Sequence, residues 1–193
     1  MKVIIDNGHG IDTKGKQSPE WDDGSQLFEW EFNRDIVNRL SDLLNEQGIY
    51  NFLIVPEDKD VSLKDRVKRI NAFYKNNPDS FLLSIHANAG GGTGWEVFTS
   101  KGETRSDAIA ECFAESAKIH LPDFRIRKDM LDGDSDKEAN FYILKHTHCP
   151  AVLTENLFMD TKKDCQFIMS ESGRDAIAKL HLDGILRVIM VRN

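Results

Sequence analysis

The chain has 193 residues, of which 40% are hydrophobic and 30% are charged. This balance is typical of a folded globular protein and excludes a disordered chain. The formal net charge of -7 argues against the positive surface that binding a nucleic acid backbone requires, so we expect no nucleic acid partner. The length fits one α/β domain, so we expect residues 1–193 to form a single domain. We also expect a monomer.

The sequence predicts neither a membrane span nor a disulfide framework. The first residues, MKVIIDNGHG, contain an apolar run that is too short for a signal peptide or a transmembrane helix. The three cysteines are an odd number and form no C-x-x-C pair, which indicates reduced thiols.

The predicted elements alternate between short apolar runs and helical stretches. In chain order, the runs predict strands at 3–5, 52–55, 81–85, 94–99, 141–144 and 151–153. The periodic stretches predict helices at 27–47, 62–75, 104–119 and 172–190. Residues 121–138 are rich in Asp, Lys and Arg without a clear period, which predicts a surface loop flanking a substrate groove. The alternation favours an α/β domain with a mainly parallel sheet.

Three polar side chains lie where predicted strands end. His9 follows the first strand, His86 follows the strand at 81–85, and Glu155 follows the strand at 151–153. Because ligand sites form at the carboxyl ends of parallel strands, we expect the three side chains to converge at one edge of the sheet. Imidazole and carboxylate groups are natural ligands of zinc, and a catalytic zinc site needs three protein ligands and an open position for water.

The two histidines supply two of these ligands, so a third is needed. Glu29 and Glu31 are the nearest candidates for it, and helical periodicity separates them. At about 100° per residue, Ile36 and Leu40 lie on the same face of the predicted helix as Glu29. Glu31 shares the opposite, solvated face with Asp35. A carboxylate on an apolar face is costly unless it is paired or holds a metal, so Glu29 is the candidate that needs a partner.

Four short motifs occur in order along the chain. They are D-x-G-H-G at 6–10 after a strand, E-x-x-x-N at 29–33, S-I-H-A-N at 84–88 and P-A-V-L-x-E at 150–155. Together with V-S-L-K-D-R at 61–66 and F-Y-I-L-K ahead of Pro150, they resemble the zinc amidase family known as amidase type 3. The matches keep the family's order from about residue 3 to about residue 160, which is most of the chain.

The resemblance implies a role for each matching residue. His9, Glu29 and His86 match the family's zinc ligands, and Glu155 matches its catalytic glutamate. Asn88, the last residue of S-I-H-A-N, is implied to contact substrate or to shape the site. The family's fold is a twisted, mostly parallel sheet of about six strands with helices on both faces.

The activity implied by the resemblance is that of an N-acetylmuramoyl-L-alanine amidase. With one Zn²⁺ per chain, such an enzyme hydrolyses the amide bond between N-acetylmuramic acid and the L-alanine of the peptidoglycan stem peptide. Glu155 is expected to act first as a general base and then as a general acid. We therefore expect peptidoglycan or a muropeptide as substrate and the cell wall, in the periplasm or at the extracellular face, as the place of action. With no leader predicted, we favour a phage or prophage lysin.

Two positions depart from the family's pattern. The last glycine of G-H-G-G is Ile11 here, and the glycine of E-x-G-F is Leu157. Each replacement removes the backbone freedom of a glycine. We therefore expect an altered loop after His9 and a shifted wall beside Glu155.

Each site residue also has a plainer interpretation. Taken singly, His9 and His86 fit histidines at a turn or a strand end, and Glu155 fits a carboxylate near a helix N-terminus. Three tryptophans fit either the core or a platform for a sugar ring: Trp21, Trp30 and Trp95.

Other functions share parts of this pattern. A zinc peptidase or deacylase of related fold, acting on a free peptide or acyl amino acid, usually needs further carboxylate ligands for a second metal. A non-catalytic peptidoglycan-binding module has no need of a carboxylate base such as Glu155. A non-haem iron oxygenase uses two histidines and a carboxylate, but usually on a β-sandwich, which the alternating pattern does not predict.

Overall fold

A computed structural model describes residues 1–130 and 135–192 of the chain. The strands are β1 (Lys2–Asn7), β2 (Asn51–Leu53), β3 (Ser80–Asn88), β4 (Glu96–Thr99), β5 (Lys137–Glu138) and β6 (Ala151–Phe158). The helices are α1 (Glu29–Glu46), α2 (Leu63–Asn76), α3 (Arg105–His120), α4 (Tyr142–His146), α5 (Lys162–Met169) and α6 (Glu171–Arg192). None of the helices in these ranges is long and apolar enough to cross a membrane.

The six strands form one sheet in the order β2-β1-β3-β6-β4-β5. Strands β2, β1, β3 and β6 pair in parallel, whereas β4 pairs with β6 antiparallel. Strand β5 runs parallel to β4. The sheet is therefore mostly parallel, as the alternation of elements predicts.

Buried side chains cover both faces of the sheet. Alternate strand residues divide between two cores, so that Val3 and Ile5 pack on one face and Ile4 on the other. The larger core includes residues of α1, α3, α5 and α6, and the smaller core includes residues of α2 and α4. The expected fold, a single α/β domain with helices on both faces, is confirmed.

Helix α1 carries one buried acidic residue in its first turn. The side chain of Glu29 is 1% exposed and lies on the same face as the buried Phe32, Ile36 and Leu40. Glu31 is exposed, as the periodicity predicts. The assignment of the two glutamates to opposite faces is therefore confirmed.

The prediction of a strand at 141–144 is wrong. Residues Tyr142–His146 form α4, which buries Ile143 and Leu144 in the smaller core. Two further elements have no counterpart among the predicted ones: the two-residue strand β5 and the helix α5. Part of the loop predicted at 121–138 lies outside the described residues, and β5 occupies its end.

Strands β3 and β6 are longer than their apolar runs. Strand β3 continues to Asn88 and β6 continues to Phe158, so His86 and Glu155 lie inside strands and not after them. Glu155 therefore belongs to β6, and the next helix along the chain, α5, begins only at Lys162, so the interpretation of Glu155 as part of a helix N-terminal region is wrong.

Candidate active site

Four side chains that the sequence singled out meet at one end of the parallel strands. His86 of β3 and Glu155 of β6 are register partners on neighbouring strands, so their side chains lie on the same face of the sheet. His9 follows the end of β1, and Glu29 reaches the same place from the start of α1. The expected convergence of His9, His86 and Glu155 is thus observed, together with Glu29.

The carboxylate of Glu29 lies between the two imidazoles. Its Oε1 is 3.0 Å from His86 Nδ1, and its Oε2 is 3.3 Å from His9 Nε2. One donor atom from each of the three residues lies within 4.8 Å of the others. Tetrahedral zinc with bonds of about 2.0 Å separates its ligand atoms by about 3.3 Å, so the cluster has the size that one such ion requires.

One oxygen of Glu29 lacks the hydrogen bonds that a buried carboxylate normally makes. Oε1 accepts a hydrogen bond from the main-chain nitrogen of Ala87 at 3.3 Å. Oε2 is buried and accepts no hydrogen bond from the described residues, although His9 Nε2 lies 3.3 Å and Lys16 Nζ lies 3.8 Å from it. A buried carboxylate oxygen in this condition is costly unless a cation satisfies it. The donor set and this oxygen together fit a zinc ion.

Electrostatics hold Glu29 in its charged form. Burial acts to raise the pKa of the Glu29 carboxyl, but contacts with His86 and His9 outweigh burial and hold the pKa far below its usual range. Burial likewise acts to lower the pKa of His86, and the contact with Glu29 reverses this and raises it. The cluster is therefore a negative carboxylate held between two imidazoles.

Glu155 is a second buried carboxyl group with different surroundings. Burial raises its pKa to about 7, opposed by the charge of His86. Its Oε2 accepts no hydrogen bond within the part of the chain that the structure describes. A carboxyl group with a pKa near neutrality can both take and give a proton at physiological pH.

The main chain at His9 has an unusual conformation that two arginines stabilise. The φ angle of His9 is 65°, which is uncommon for a residue with a side chain. Its carbonyl oxygen accepts hydrogen bonds from Nη1 of Arg34 at 3.0 Å and Nη2 of Arg66 at 3.2 Å. These contacts hold the backbone that directs the His9 imidazole toward Glu29.

Arg66 is itself fixed by a buried ion pair. Its Nη1 donates to Asp6 Oδ1 at 2.6 Å and to the carbonyl of Asn7 at 2.8 Å. The other oxygen of Asp6 accepts a hydrogen bond from Ser84 Oγ at 2.7 Å. Arg66 thus links α2 to β1 and to the main chain of His9.

Gly8 allows the closest approach in the site. A Cβ atom at this position would lie 2.0 Å from His86 Cε1, so no residue with a side chain fits without moving His86. Asn33 Nδ2 donates to the carbonyl of Gly8 at 3.1 Å. The glycine of D-x-G-H-G and the asparagine of E-x-x-x-N are therefore in direct contact, through the main-chain carbonyl of Gly8.

A buried hydrogen-bond network supports His86 from the opposite face of the sheet. Asn156 Nδ2 donates to the carbonyl of His86 at 2.9 Å, and Trp95 Nε1 donates to Asn156 Oδ1 at 2.9 Å. His181 Nδ1 lies 2.7 Å from the carbonyl of Ile177, so this nitrogen carries the proton and Nε2 accepts from Thr154 Oγ1 at 2.9 Å. Trp95 is fully buried, which favours the core interpretation of this tryptophan.

A cavity of about 350 Å³ opens beside the cluster. His9, His86 and Glu155 line it together with Lys16, whose Nζ is 3.8 Å from Glu29 Oε2. Its lining also includes the side chains of Val61, Leu63, Phe141 and Tyr142. The cavity is large enough to admit part of a substrate next to the carboxyl group of Glu155.

The side chain of Asn88 contacts protein groups. Its Nδ2 donates to Glu96 Oε1, and its Oδ1 accepts a hydrogen bond from the main-chain nitrogen of Ala89 at 2.8 Å. Asn88 therefore links the end of β3 to β4 beside the cluster.

The two departures from the family's pattern have different consequences. Among the described residues other than glycine, only His9 and Leu157 have positive φ angles, so the backbone at Ile11 does not use a conformation that favours glycine. Leu157 has a φ of 66° and buries its side chain in the larger core. The main chain two residues after Glu155 thus keeps a conformation that favours glycine, although the residue there is Leu157.

Sequence patterns missed the residues that hold the site in place. Arg34 and Arg66 lie in predicted helices, where charged residues are normally assigned to the solvent-exposed face. Arg66 belongs to V-S-L-K-D-R and Asn33 to E-x-x-x-N, so the motifs contained a signal for both residues. In the structure, Asn33 and Arg66 hold the main chain at His9 through hydrogen bonds to the carbonyls of Gly8 and His9.

A His-Glu-His cluster at the ends of parallel strands, with a second buried carboxyl group beside it, is typical of metal-dependent hydrolases. The chain belongs to the N-acetylmuramoyl-L-alanine amidase family, whose sequence model matches residues 3–187.

The similarity to known proteins extends over nearly the whole chain. The chain is 32% identical to the N-acetylmuramoyl-L-alanine amidase CwlM of Bacillus licheniformis over 97% of this chain and 68% of CwlM. It is 29% identical to the endolysin of Bacillus phage SPP1 over 98% of this chain and 66% of the endolysin. The chain therefore spans about two thirds of these relatives. An N-acetylmuramoyl-L-alanine amidase from Clostridium difficile 630 superposes with a TM-score of 0.83 at 27% identity, covering 100% of this chain and 98% of that one.

Proposed function

We propose that the chain hydrolyses the amide bond between N-acetylmuramic acid and the L-alanine of the stem peptide in peptidoglycan, in a zinc-dependent reaction. Membership of the amidase family supports the bond and the substrate. The observation that carries the zinc dependence is the Glu29 carboxylate, held between His9 and His86 with one buried oxygen that lacks a hydrogen bond among the described residues. Residues 1–193 are proposed as the catalytic domain.

His9, Glu29 and His86 are the proposed ligands of one zinc ion per chain. Within residues 1–130 and 135–192, they are the only group of three or more His, Cys, Asp or Glu side chains that could hold a metal. Zinc bound there supplies Lewis acidity for the substrate carbonyl and lowers the pKa of water. His9 and His86 line the cavity, so a zinc ion held by these residues would be within reach of a substrate there.

Glu155 is proposed to move the proton of the reaction. It lines the cavity next to His86, and its pKa of about 7 lets it accept a proton from the attacking water at neutral pH. The same carboxyl group then gives this proton to the nitrogen of L-alanine, which departs as a free amine. The products are a lactyl carboxylate on the sugar and a new amino terminus on the peptide.

Asn88 is proposed to shape the site. Both ends of its amide are engaged by protein groups, Glu96 and the Ala89 nitrogen. The resemblance implied that Asn88 either contacts substrate or shapes the site. These contacts favour the second role, in which Asn88 positions the strands beside Glu155.

The place of action and the partners follow from the relatives. One matched relative is named an endolysin of a Bacillus phage, and another is named an N-acetylmuramoyl-L-alanine amidase of Bacillus licheniformis. We propose that this chain also acts on the cell wall, as a monomer, and binds no nucleic acid.

The alternative is a zinc peptidase or deacylase that acts on a free peptide or acyl amino acid. Such enzymes usually hold a second metal with further carboxylates. The single candidate cluster within the described ranges favours the amidase.

Product analysis tests the proposed bond directly. Purified protein is incubated with peptidoglycan, and the new chain ends are identified by mass spectrometry, with the Glu29→Gln variant as the control for contaminating hydrolases. The expected products are new L-alanine amino termini. New ends within the glycan or within the peptide, in place of these, would contradict the proposal.

A further inference from the structure

Glu96 is a third buried carboxylate in the row that contains His86 and Glu155. It lies on β4, is 3% exposed, and is the register partner of Glu155 across β6. Side chains of such partners lie on the same face of a sheet, with Cβ atoms about 5 Å apart. The row His86, Glu155 and Glu96 therefore leads away from the cluster toward the edge of the sheet formed by β4 and β5.

Two cationic side chains contact Glu96. Nε of Arg127 lies 3.0 Å from Glu96 Oε2, and Nζ of Lys137 contacts the same oxygen. One cation is enough to balance the charge of one carboxylate. Glu96, Arg127 and Lys137 together therefore carry one net positive charge.

The position of Arg127 is fixed from three sides. Its main-chain nitrogen donates to the carbonyl of Trp95 at 2.8 Å, and its guanidinium carbon lies 5.1 Å from the centre of the Phe158 ring. The contact with Glu96 uses Nε, so the two terminal nitrogens of the guanidinium are not needed for that pair. The side chains of Arg127 and Lys137 are 31% and 26% exposed, so both reach the surface.

From this arrangement we propose that Arg127 and Lys137 form a subsite for a carboxylate of the stem peptide, on the second residue after the scissile bond. Guanidinium and ammonium groups held in place by a buried acid bind a carboxylate through charge-assisted hydrogen bonds. The proposal rests on the proposed function, because that function places the stem peptide at the cluster.

The distances agree with the second residue of the peptide. Neighbouring strands are about 4.8 Å apart, and the carboxylate that both cations contact, Glu96, lies on β4, one strand past Glu155. Two residues of an extended peptide span about 7 Å. A carboxylate on the second residue therefore reaches Arg127 and Lys137 while the amide bond before the first residue lies next to Glu155.

The test compares two synthetic N-acetylmuramoyl tripeptides. They differ only at the second residue, which is D-glutamate with a free α-carboxylate in one and its α-amide in the other. The ratio of their kcat/KM values is measured with the same protein preparation, so it does not depend on the fraction of protein that is folded. Two variants are compared with the wild-type protein: the double variant Arg127→Gln/Lys137→Gln and the single variant Lys137→Gln. The single variant retains Arg127 to balance the charge of Glu96. The matched control is Lys75→Gln/Lys179→Gln, which removes two exposed charges elsewhere.

We expect the wild-type protein to prefer the carboxylate by about tenfold, since a charge-assisted hydrogen bond is stronger than a neutral one. The ratio should fall close to one in Arg127→Gln/Lys137→Gln, take an intermediate value in Lys137→Gln, and stay at the wild-type value in the control. A wild-type ratio near one, or an unchanged ratio in the double variant, would overturn the subsite alone. Failure of the wild-type protein to release L-alanine amino termini from either tripeptide or from intact peptidoglycan would overturn the proposed function and the subsite with it.

Discussion

Arg66 donates a hydrogen bond from Nη2 to the main-chain carbonyl of His9 at 3.2 Å and so connects α2 to a proposed zinc ligand. Arg66→Lys keeps a positive charge beside Asp6 but cannot reproduce the several hydrogen bonds of the guanidinium. We expect the affinity for zinc to fall about 10-fold to 100-fold, because residues that orient a metal ligand have effects of this size. The measurement is competition for zinc with a chromophoric chelator.

The control for this variant is Arg69→Lys on the same helix, whose guanidinium pairs with the partly exposed Glu57. It should bind zinc as the wild-type protein does. Equal zinc affinity in Arg66→Lys and the wild-type protein would show that the backbone of His9 keeps its conformation without the guanidinium.

Gly8→Ala tests the close contact between the main chain and His86. The added methyl group would occupy space that is 2.0 Å from His86 Cε1, so the imidazole has to move. We expect most of the zinc affinity and activity to be lost while the circular dichroism spectrum stays that of a folded α/β protein. Tight, stoichiometric zinc binding by Gly8→Ala would refute the proposed position of the His86 ring.

Glu29 and Glu31 form a matched pair, because they lie two residues apart on opposite faces of α1. Glu29→Ala removes a proposed ligand and should abolish both zinc binding and activity. Glu31→Ala should do neither, because this side chain is exposed and its contact with Arg174 Nη2 is 4.0 Å long. Zinc content by elemental analysis and turnover of peptidoglycan are compared for the two variants. The opposite pattern would mean that Glu31 and not Glu29 holds the metal.

His181 makes the stability of the protein depend on pH. Burial lowers its pKa to about 4, compared with 6.5 for an ordinary histidine. Between these values the unfolded chain binds a proton and the folded chain does not, so stability falls as the pH falls from 6.5 to 4. This one residue should reduce the free energy of unfolding by about 3 kcal/mol over that range.

Urea denaturation at several pH values measures this effect. His181→Gln removes the titrating group and should give a shallower decline, whereas the exposed His148→Gln should retain the wild-type slope. Identical slopes for the wild-type protein and His181→Gln would exclude His181 as the source of the pH dependence.

The order of strands and helices was largely predictable, because apolar runs and helical periods report directly on burial. Helical periodicity separated Glu29 from Glu31 for the same reason. The run at 141–144 was misleading because F-Y-I-L fits a strand, whereas α4 has only five residues and is too short to show a helical period. Helix α5 was missed because its eight residues make only about two turns, which is too short a stretch for a helical period to be recognised.

Contacts between distant parts of the chain could not be predicted. The extension of β6 through Glu155 and Asn156 places polar residues inside a strand, where an apolar pattern gives no signal. The buried pair of Asp6 and Arg66 joins residues 60 positions apart, and charged residues are normally assigned to the surface. The motifs pointed to the proposed ligands, whereas the residues that orient them became visible only through the fold.

Glu155→Gln tests the central claim, that Glu155 moves the proton while His9, Glu29 and His86 hold zinc. The substitution keeps the size of the side chain and removes the base. Zinc content and turnover of an N-acetylmuramoyl peptide are measured on the same preparation. We predict one zinc per chain, as in the wild-type protein, and a kcat lower by a factor of about 10² to 10⁴. Loss of zinc together with activity would make Glu155 a metal ligand, and a kcat close to that of the wild-type protein would remove it from the mechanism.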